Sequence, residues 1–291
     1  MYYEKDIAVV IPTYNRSNDV DLTLKKLLEN NESPGAVYIA DQSKDAKTKK
    51  VVEKYNKKYG NVFFLKSLPP STSIASNIGI NKAKKFKIVL MLDDDVDCLK
   101  GFLKGLLYEF NNNPRVYGVA AKDLLNKNIY TKYFKRKAEA ILLNFFLLPA
   151  LANTKYKVLG PYGNTGCAVM KGRIKDAEWL PGTNMCYRSE IFKGFKLPEI
   201  IGYNLLQDID ISYHVFKKYG KGSLVITDKA FVRHRYSQIE RYDDIKRAFA
   251  SQEDRFIFYY RYFKGPIGKI KFLWSIAGLI LLKLVAAILH P

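Results

Sequence analysis

The stretch Lys87-Ile88-Val89-Leu90-Met91-Leu92-Asp93-Asp94-Asp95-Val96-Asp97 decides how this chain is read. Ile88 to Leu92 is a short apolar run, and it leads straight into three carboxylates. A run this short, rich in branched residues, suits a strand buried on both faces of a sheet. Three adjacent acids repel one another and cannot be buried unpaired. A divalent cation resolves that repulsion, because Mg2+ and Mn2+ prefer carboxylate oxygen and leave positions for substrate phosphates. Taken alone, the triplet is equally an acidic loop that caps the next helix. The metal reading puts a site at the C-terminal end of a central strand, where open α/β sheets place their ligands.

Working back from this stretch, Ile7 to Ile11 reads as a buried strand ended by Pro12-Thr13-Tyr14-Asn15-Arg16. Ser17-Asn18-Asp19 offers an N-cap for a helix over Val20 to Glu29. Ala36 to Ala40 is a second strand that ends at Asp41. Lys47 to Tyr59 is a lysine-rich helix, Asn61 to Leu65 a third strand, and Ser73 to Lys84 a helix. Strands alternating with helices predict a doubly wound, mostly parallel sheet. Thr13 to Arg16, Asp41 and the aspartates all follow strand ends, which is how a nucleotide crevice is made.

Val9-Val10-Ile11-Pro12-Thr13-Tyr14-Asn15-Arg16 resembles the opening motif of family 2 glycosyltransferases, inverting enzymes of the GT-A fold type. Asp41 resembles the acid that reads the nucleotide base. Ala75-Ser76-Asn77-Ile78-Gly79 resembles the family's Ala-Arg-Asn-x-Gly helix start, with Ser76 where many members carry Arg. Leu92-Asp93-Asp94-Asp95 is similar to the DxD signature. The resemblance implies a GT-A type α/β fold. It also implies that Pro12, Thr13, Tyr14, Asn15, Asp41, Asn77, Asp93 and Asp94 bind a nucleotide-diphosphate sugar, and that Asp93 and Asp95 hold Mn2+ or Mg2+. Each motif alone is weak, since Pro-Thr-Tyr-Asn is mostly turn chemistry; their order and spacing carry the signal.

Further along, Val116 to Ala121 reads as another strand. Residues 122 to 176 hold eleven Lys or Arg against three acids, around an apolar segment from Ala138 to Ala152. That segment is either a helix lying in lipid headgroups or an ordinary core helix. Trp179-Leu180-Pro181-Gly182-Thr183-Asn184 resembles the family's acceptor-side segment, which implies acceptor or sugar contacts for Trp179, Gly182 and Asn184. Taken alone, Trp179 is a core residue. Gln207-Asp208 stands where relatives read Glu-Asp, so the resemblance makes Asp208 the general base, with Asp210 in reserve. A carboxylate at a helix N-terminus is expected to stay ionised. The two acids otherwise simply cap the helix. Leu224 to Ile226 and Ala230 to Val232 flank a turn before Arg233-His234-Arg235-Tyr236-Ser237, similar to the family's His-x-x-Ser. This implies His234 as a third metal ligand. Two flanking arginines should keep its ring neutral, and Arg233 and Arg235 are themselves candidates for diphosphate contacts.

The bulk figures fit an enzyme with anionic partners. The chain has 291 residues, is 48% hydrophobic and carries a net charge of +20. It is therefore folded rather than disordered, and its charge suits nucleic acid, anionic membranes or phosphorylated substrates. Its three cysteines, Cys98, Cys167 and Cys186, have no paired or ligand spacing, which suits a reducing compartment. No signal peptide is evident at the start, so export is not expected. Phe272 to Leu289 is eighteen residues with one charge, Lys283. A span needs about 20 apolar residues, and a central lysine costs about 2.5–3.5 kcal/mol. Lys271, Ser275, Gly278 and Ala286 share one side, with Lys283 and His290 toward it, which favours a helix in the interface or packed on the domain.

The expected organisation is a nucleotide-sugar half at 1–121 and a basic, apolar insertion at 122–176. An acceptor and catalytic half follows at 177–264, then a C-terminal apolar helix at 265–291. The expected partners are a nucleotide-diphosphate sugar donor, a glycan or prenyl-phosphate-linked acceptor and an anionic membrane surface, at its cytoplasmic face, with no nucleic acid. A nucleotidyltransferase is the first rival, but it calls for a Gly-rich loop after the first strand, and there is none. A basic nucleic-acid-binding protein is the second, and no recognised motif supports it.

Overall fold

The computed structural model describes residues 1–29, 32–124, 137–148, 156–158, 160–161, 165–166, 172–200, 206–239 and 244–289. Cys167, His290 and most of the basic insertion lie outside the described residues. Within them, eight strands form one sheet in the order β3-β2-β1-β4-β9-β6-β10-β5. The strands are β1 (Ile7–Thr13), β2 (Ala36–Asp41), β3 (Val62–Lys66), β4 (Ile88–Leu92), β5 (Val96–Cys98), β6 (Gly118–Asp123), β9 (Asn184–Arg188) and β10 (Leu224–His234). A separate two-stranded pair is formed by β7 (Lys157–Val158) and β8 (Thr165–Gly166).

β1 to β4 are mutually parallel, as the alternation of strand and helix demands. β9 runs antiparallel between β4 and β6, and β5 antiparallel beside β10. Helices α1 (Ser17–Leu28), α2 (Lys47–Tyr59) and α4 (Phe102–Asn112) cover one face; α3 (Thr72–Ala83) and α6 (Gln207–Tyr219) cover the other. β1 shows why both faces are filled. Ile7, Val9 and Ile11 enter one apolar layer while Ala8 and Val10 enter the other, the two-residue period of a pleated strand. Gly79 permits the tightest of these contacts: a Cβ there would lie 2.2 Å from Val10 Cγ1, so α3 presses straight onto β1.

α2 and β4 have the bounds expected from sequence. Two local expectations fail, and two strands are additions. α1 begins at Ser17, and no side chain caps it. Asp19 is instead drawn to Arg235, whose Nη2 lies 3.0 Å from the Asp19 carbonyl and 3.6 Å from its carboxylate. The turn expected near residue 227 is absent, because β10 runs through with only a register shift between Ile226 and Phe231. β5 and β9 were not anticipated as strands. Both are short, and β9 begins within the acceptor-side segment, at Asn184.

The chain ends in α5 (Lys137–Phe145), α7 (Asp244–Tyr262) and α8 (Pro266–Leu289). The apolar C-terminal helix thus starts earlier than its hydrophobic run. Among the described residues no helix is long and apolar enough to cross a membrane.

Candidate active site

The parallel strands deliver their C-terminal ends to one edge. Thr13 is in register with Asp41, and Leu92 hands over directly to Asp93. β9 arrives from the opposite direction, so Asn184 pairs with Leu92, and the Asp93 N–H donates to the Thr183 carbonyl at 3.1 Å. The acceptor-side segment and the acidic triplet are therefore stitched together.

The triplet splits its work between two sides. One oxygen each from Asp93 and Asp95 and a ring nitrogen of His234 lie within 4.8 Å of one another. Asp95 Oδ1 is 3.0 Å from His234 Nε2, and its Oδ2 accepts the Ser237 N–H at 2.9 Å. Two carboxylates and one imidazole are a donor set that suits a divalent cation. Asp94 points elsewhere. Its carboxylate accepts Thr13 Oγ1 at 2.7 Å and Arg16 Nη1 at 3.1 Å, and it is buried. Asp94 and Thr13, both expected at the nucleotide, thus meet each other. Their bond ties β1 to the metal loop.

His234 also departs from expectation. Burial pulls its pKa down, but the hydrogen bond and charge of Asp95, with Asp93 and Asp123 behind, outweigh burial and raise it. The flanking arginines do not act on the ring as expected, since neighbours on a strand point to opposite sides. Arg235 turns inward to Asp97, to Thr23 Oγ1 at 2.9 Å and to the Asp94 carbonyl at 3.2 Å. It tethers β10 to the loop and does not offer itself to a diphosphate. Arg16 acts similarly, with Nη2 donating to the Ile239 carbonyl at 2.6 Å. Arg16 and Ser237 stood within the quoted motifs, but only the packing gives them these roles.

The acids carry their own signature of strain. Burial, then the charge of Asp95, pushes Asp93 up to about 7. Burial pushes Asp94 up to about 6 despite Arg16 and Thr13. Folding therefore favours their protonated forms. The stability they contribute is full below the ordinary carboxylate range and is lost as pH rises through 6 to 7. A cation held at Asp93 would reverse that residue's share of the loss. Mn2+ should thus raise the melting temperature more at pH 7.5 than at pH 5, by about 1–3 kcal/mol of added stability at the higher pH. Differential scanning fluorimetry at the two pH values checks this, and an equal shift at both would contradict it.

Asp208 is the second residue of α6 and is half-buried. Burial raises its carboxyl to about 6, against hydrogen bonds from the backbone of Ile209, of Asp208 itself and of Gly182. The helix terminus lowers the pKa less than the surrounding protein raises it, so the anion is not held as firmly as expected. Gly182 lies directly against it; an added Cβ would sit 3.4 Å from Asp208 Oδ2. Asp210, the reserve candidate, is engaged within the protein. It is buried, paired with Arg261 and bonded to the Tyr262 hydroxyl at 2.7 Å.

Asp41 is fully buried at the end of β2. Its Oδ1 accepts the Ser43 hydroxyl at 2.6 Å, while its Oδ2 is buried with no hydrogen-bond partner. The nearest cation to that oxygen is Lys66 Nζ at 4.0 Å. Pro12 and Tyr14, which flank Thr13 opposite it on β1, are partly exposed, and Asn15 adopts a left-handed φ of 55° while its N–H donates to Ser43 Oγ at 2.7 Å.

Three other expected site residues have partners within the protein. Asn77 spends both ends of its amide on Leu197, with bonds of 3.0 and 3.1 Å, so it clamps that segment. Asn184 is fully buried, with Oδ1 accepting the Ala121 N–H and Nδ2 donating to Thr183 Oγ1 at 3.0 Å. Trp179 packs in an apolar cluster with Leu206, Ile209, Tyr213 and Phe258.

The sheet order and the Asp–Asp–His group define the class: a GT-A glycosyltransferase fold carrying a divalent-cation site. The chain belongs to glycosyl transferase family 2, whose profile matches residues 8–173. No curated protein matches it in sequence. Among solved structures it resembles Mycobacterium tuberculosis glucosyl-3-phosphoglycerate synthase bound to Mn2+, UDP and glucosyl-3-phosphoglycerate. That match has a TM-score of 0.52 at 12% identity, covering 87% of this chain and 77% of the other. It also resembles residues 1–349 of S. aureus TarS bound to UDP-GlcNAc, with a TM-score of 0.57 at 16% identity, covering 87% of this chain and 66% of that one. Against a longer TarS chain the match covers 78% of this protein and 36% of the other. At these identities the likeness is one of fold.

Proposed function

We propose that this glycosyltransferase inverts the anomeric centre as it moves a sugar from a nucleoside diphosphate to a hydroxyl of a lipid-linked or cell-surface glycan. The observation that carries the reading is the meeting, at one sheet edge, of the Asp93–Asp95–His234 group with Asp208 on a different element. Residues 1–121 would hold the donor and 177–264 the acceptor, at the cytoplasmic face of a membrane. Asp93, Asp95 and His234 would hold the cation, and the imidazole donor favours Mn2+ over Mg2+, which prefers all-oxygen shells. When bound, the cation supplies positive charge for the leaving diphosphate. Asp208 removes the proton from the acceptor hydroxyl as its oxygen attacks. The Gly182 and Ile209 amides orient that carboxylate.

The base is one presenting a ring N–H, as uracil does, because the buried Asp41 Oδ2 is an acceptor awaiting a donor. Asp41→Asn should weaken UDP binding about tenfold, the worth of one buried hydrogen bond, and leave turnover at saturating donor unchanged. Calorimetry of the variant checks this. The wider reading is tested by titrating UDP with and without Mn2+. Affinity should rise about tenfold or more with the metal. If neither Mn2+ nor Mg2+ alters affinity for any nucleoside diphosphate, the reading is lost.

A further inference from the structure

The largest collection of exposed apolar side chains belongs to none of the site residues. It lies on α8 and its neighbour α5. α8 is seated along one side only. Phe272 stacks on Tyr259 with ring centres 4.4 Å apart. Phe146 presses onto Gly278 so closely that an added Cβ would fall 2.2 Å from the ring. Trp274 Nε1 donates to the Phe145 carbonyl at 2.8 Å, which locks α8 to the end of α5.

Among the described residues the other side of α8 is exposed. Ile267 and Ile270 are 71% and 69% exposed, and Leu273, Ile280, Leu281 and Leu284 continue the stripe at helical spacing. Ile141 and Phe145 of α5, 70% and 61% exposed, extend it sideways. Single exposed apolar residues are ordinary, but a continuous set of this size marks a contact surface. Lys264, just before α8, and Lys269 and Lys271, on its first turns, are exposed, and α8 contains no acidic residue.

We propose that this face docks into the headgroup layer of an anionic bilayer, with the stripe lying among the upper acyl chains and the lysines on lipid phosphates. Charge decides between occupants. A second copy would bring the same lysines against these, in a chain already at +20, whereas anionic headgroups complement them. The inference deepens the membrane partner of the proposed function. It rests on exposure and charge alone, so its failure would leave the nucleotide-binding test untouched.

The experiment is flotation of the full chain with two kinds of vesicle, phosphatidylcholine alone and equal parts phosphatidylcholine and phosphatidylglycerol. The protein should float with the anionic vesicles, less so as salt rises, and hardly with the neutral ones. Ile267→Glu with Ile270→Glu should lower the partition coefficient about tenfold or more. Lys269→Glu with Lys271→Glu should abolish the preference for anionic lipid. Leu22→Glu, at an exposed apolar position on α1, should change nothing. Unchanged melting temperature and UDP affinity in each variant would confirm that the fold is intact. Wild-type protein that stays down with anionic vesicles overturns the proposal, as does an Ile267/Ile270 variant that floats like wild type. A lipid-free dimer by sedimentation, made monomeric by the same double substitution, would make the face a self-interface and overturn it too.

Discussion

Replacing Asp208 by Asn is expected to cut sugar transfer about 10³-fold, the usual worth of a positioned general base, while donor affinity stays at the wild-type level. The substitution is close to isosteric. Asp208 Oδ1 accepts the Ile209 N–H at 2.8 Å, and an amide oxygen can keep that bond. What disappears is the capacity to take up a proton. The pH profile sharpens the test. The carboxyl is raised to about 6, and only its ionised form is a base. Wild-type turnover should therefore fall about tenfold per pH unit below 6 and level off above it, whereas the residual activity of Asp208→Asn should lack that limb. Asp210→Asn is the matching control. It leaves Arg261 without its charged partner, so it should lower the melting temperature, by about 1–3 kcal/mol of stability, and spare turnover. If Asp208→Asn kept wild-type turnover, the base would have to be another group.

The second large effect is expected at Asp95. Its two oxygens face His234 Nε2 and the Ser237 N–H, so Asp95→Asn removes a charge from the cation site and leaves the anchor of the 237 turn in place. Loss of that charge should abolish the Mn2+-dependent part of UDP binding and lower turnover about 10²–10³-fold, the scale of removing one electrostatic stabiliser from a transition state. Asp94→Asn is the informative comparison, one residue away and chemically identical. Its oxygens serve Thr13 and Arg16, so the variant should lose stability but keep its response to Mn2+. Calorimetric titration of UDP at fixed Mn2+, run on both variants, separates the two roles. Equal loss of metal response in both would mean that the triplet acts as one undivided acidic patch.

The contrast between Asp94 and Asp95 shows where reading a sequence stops. The alternation of β1, α1, β2, α2, β3, α3 and β4 was legible because each segment has its own period of apolar residues and its own turn chemistry. The polar residues after β1, β2 and β4 were legible as one edge, since parallel strands must end on the same side. Antiparallel β9 and short β5 were not, because their partners lie far off in the chain and their local patterns are too brief. The two departures from the family's usual residues were visible as isolated oddities, Ser76 and Gln207. In the fold they meet, Ser76 Oγ to Gln207 Oε1 at 3.2 Å, so a neutral pair joins α3 to the start of the helix that carries Asp208.

The order of residues alone determined the kind of sheet, the acidic triplet at its edge and the candidate base, because hydrophobic period and motif spacing are local properties of a chain. Tertiary structure decided which partner each acid oxygen meets. It gave Asp94, Asn77, Asn184, Trp179 and Arg235 partners within the protein, and it brought one oxygen each of Asp93 and Asp95 beside a ring nitrogen of His234. Those contacts depend on partners brought together across the fold, from Arg16 to Ile239, which no local pattern in the chain encodes.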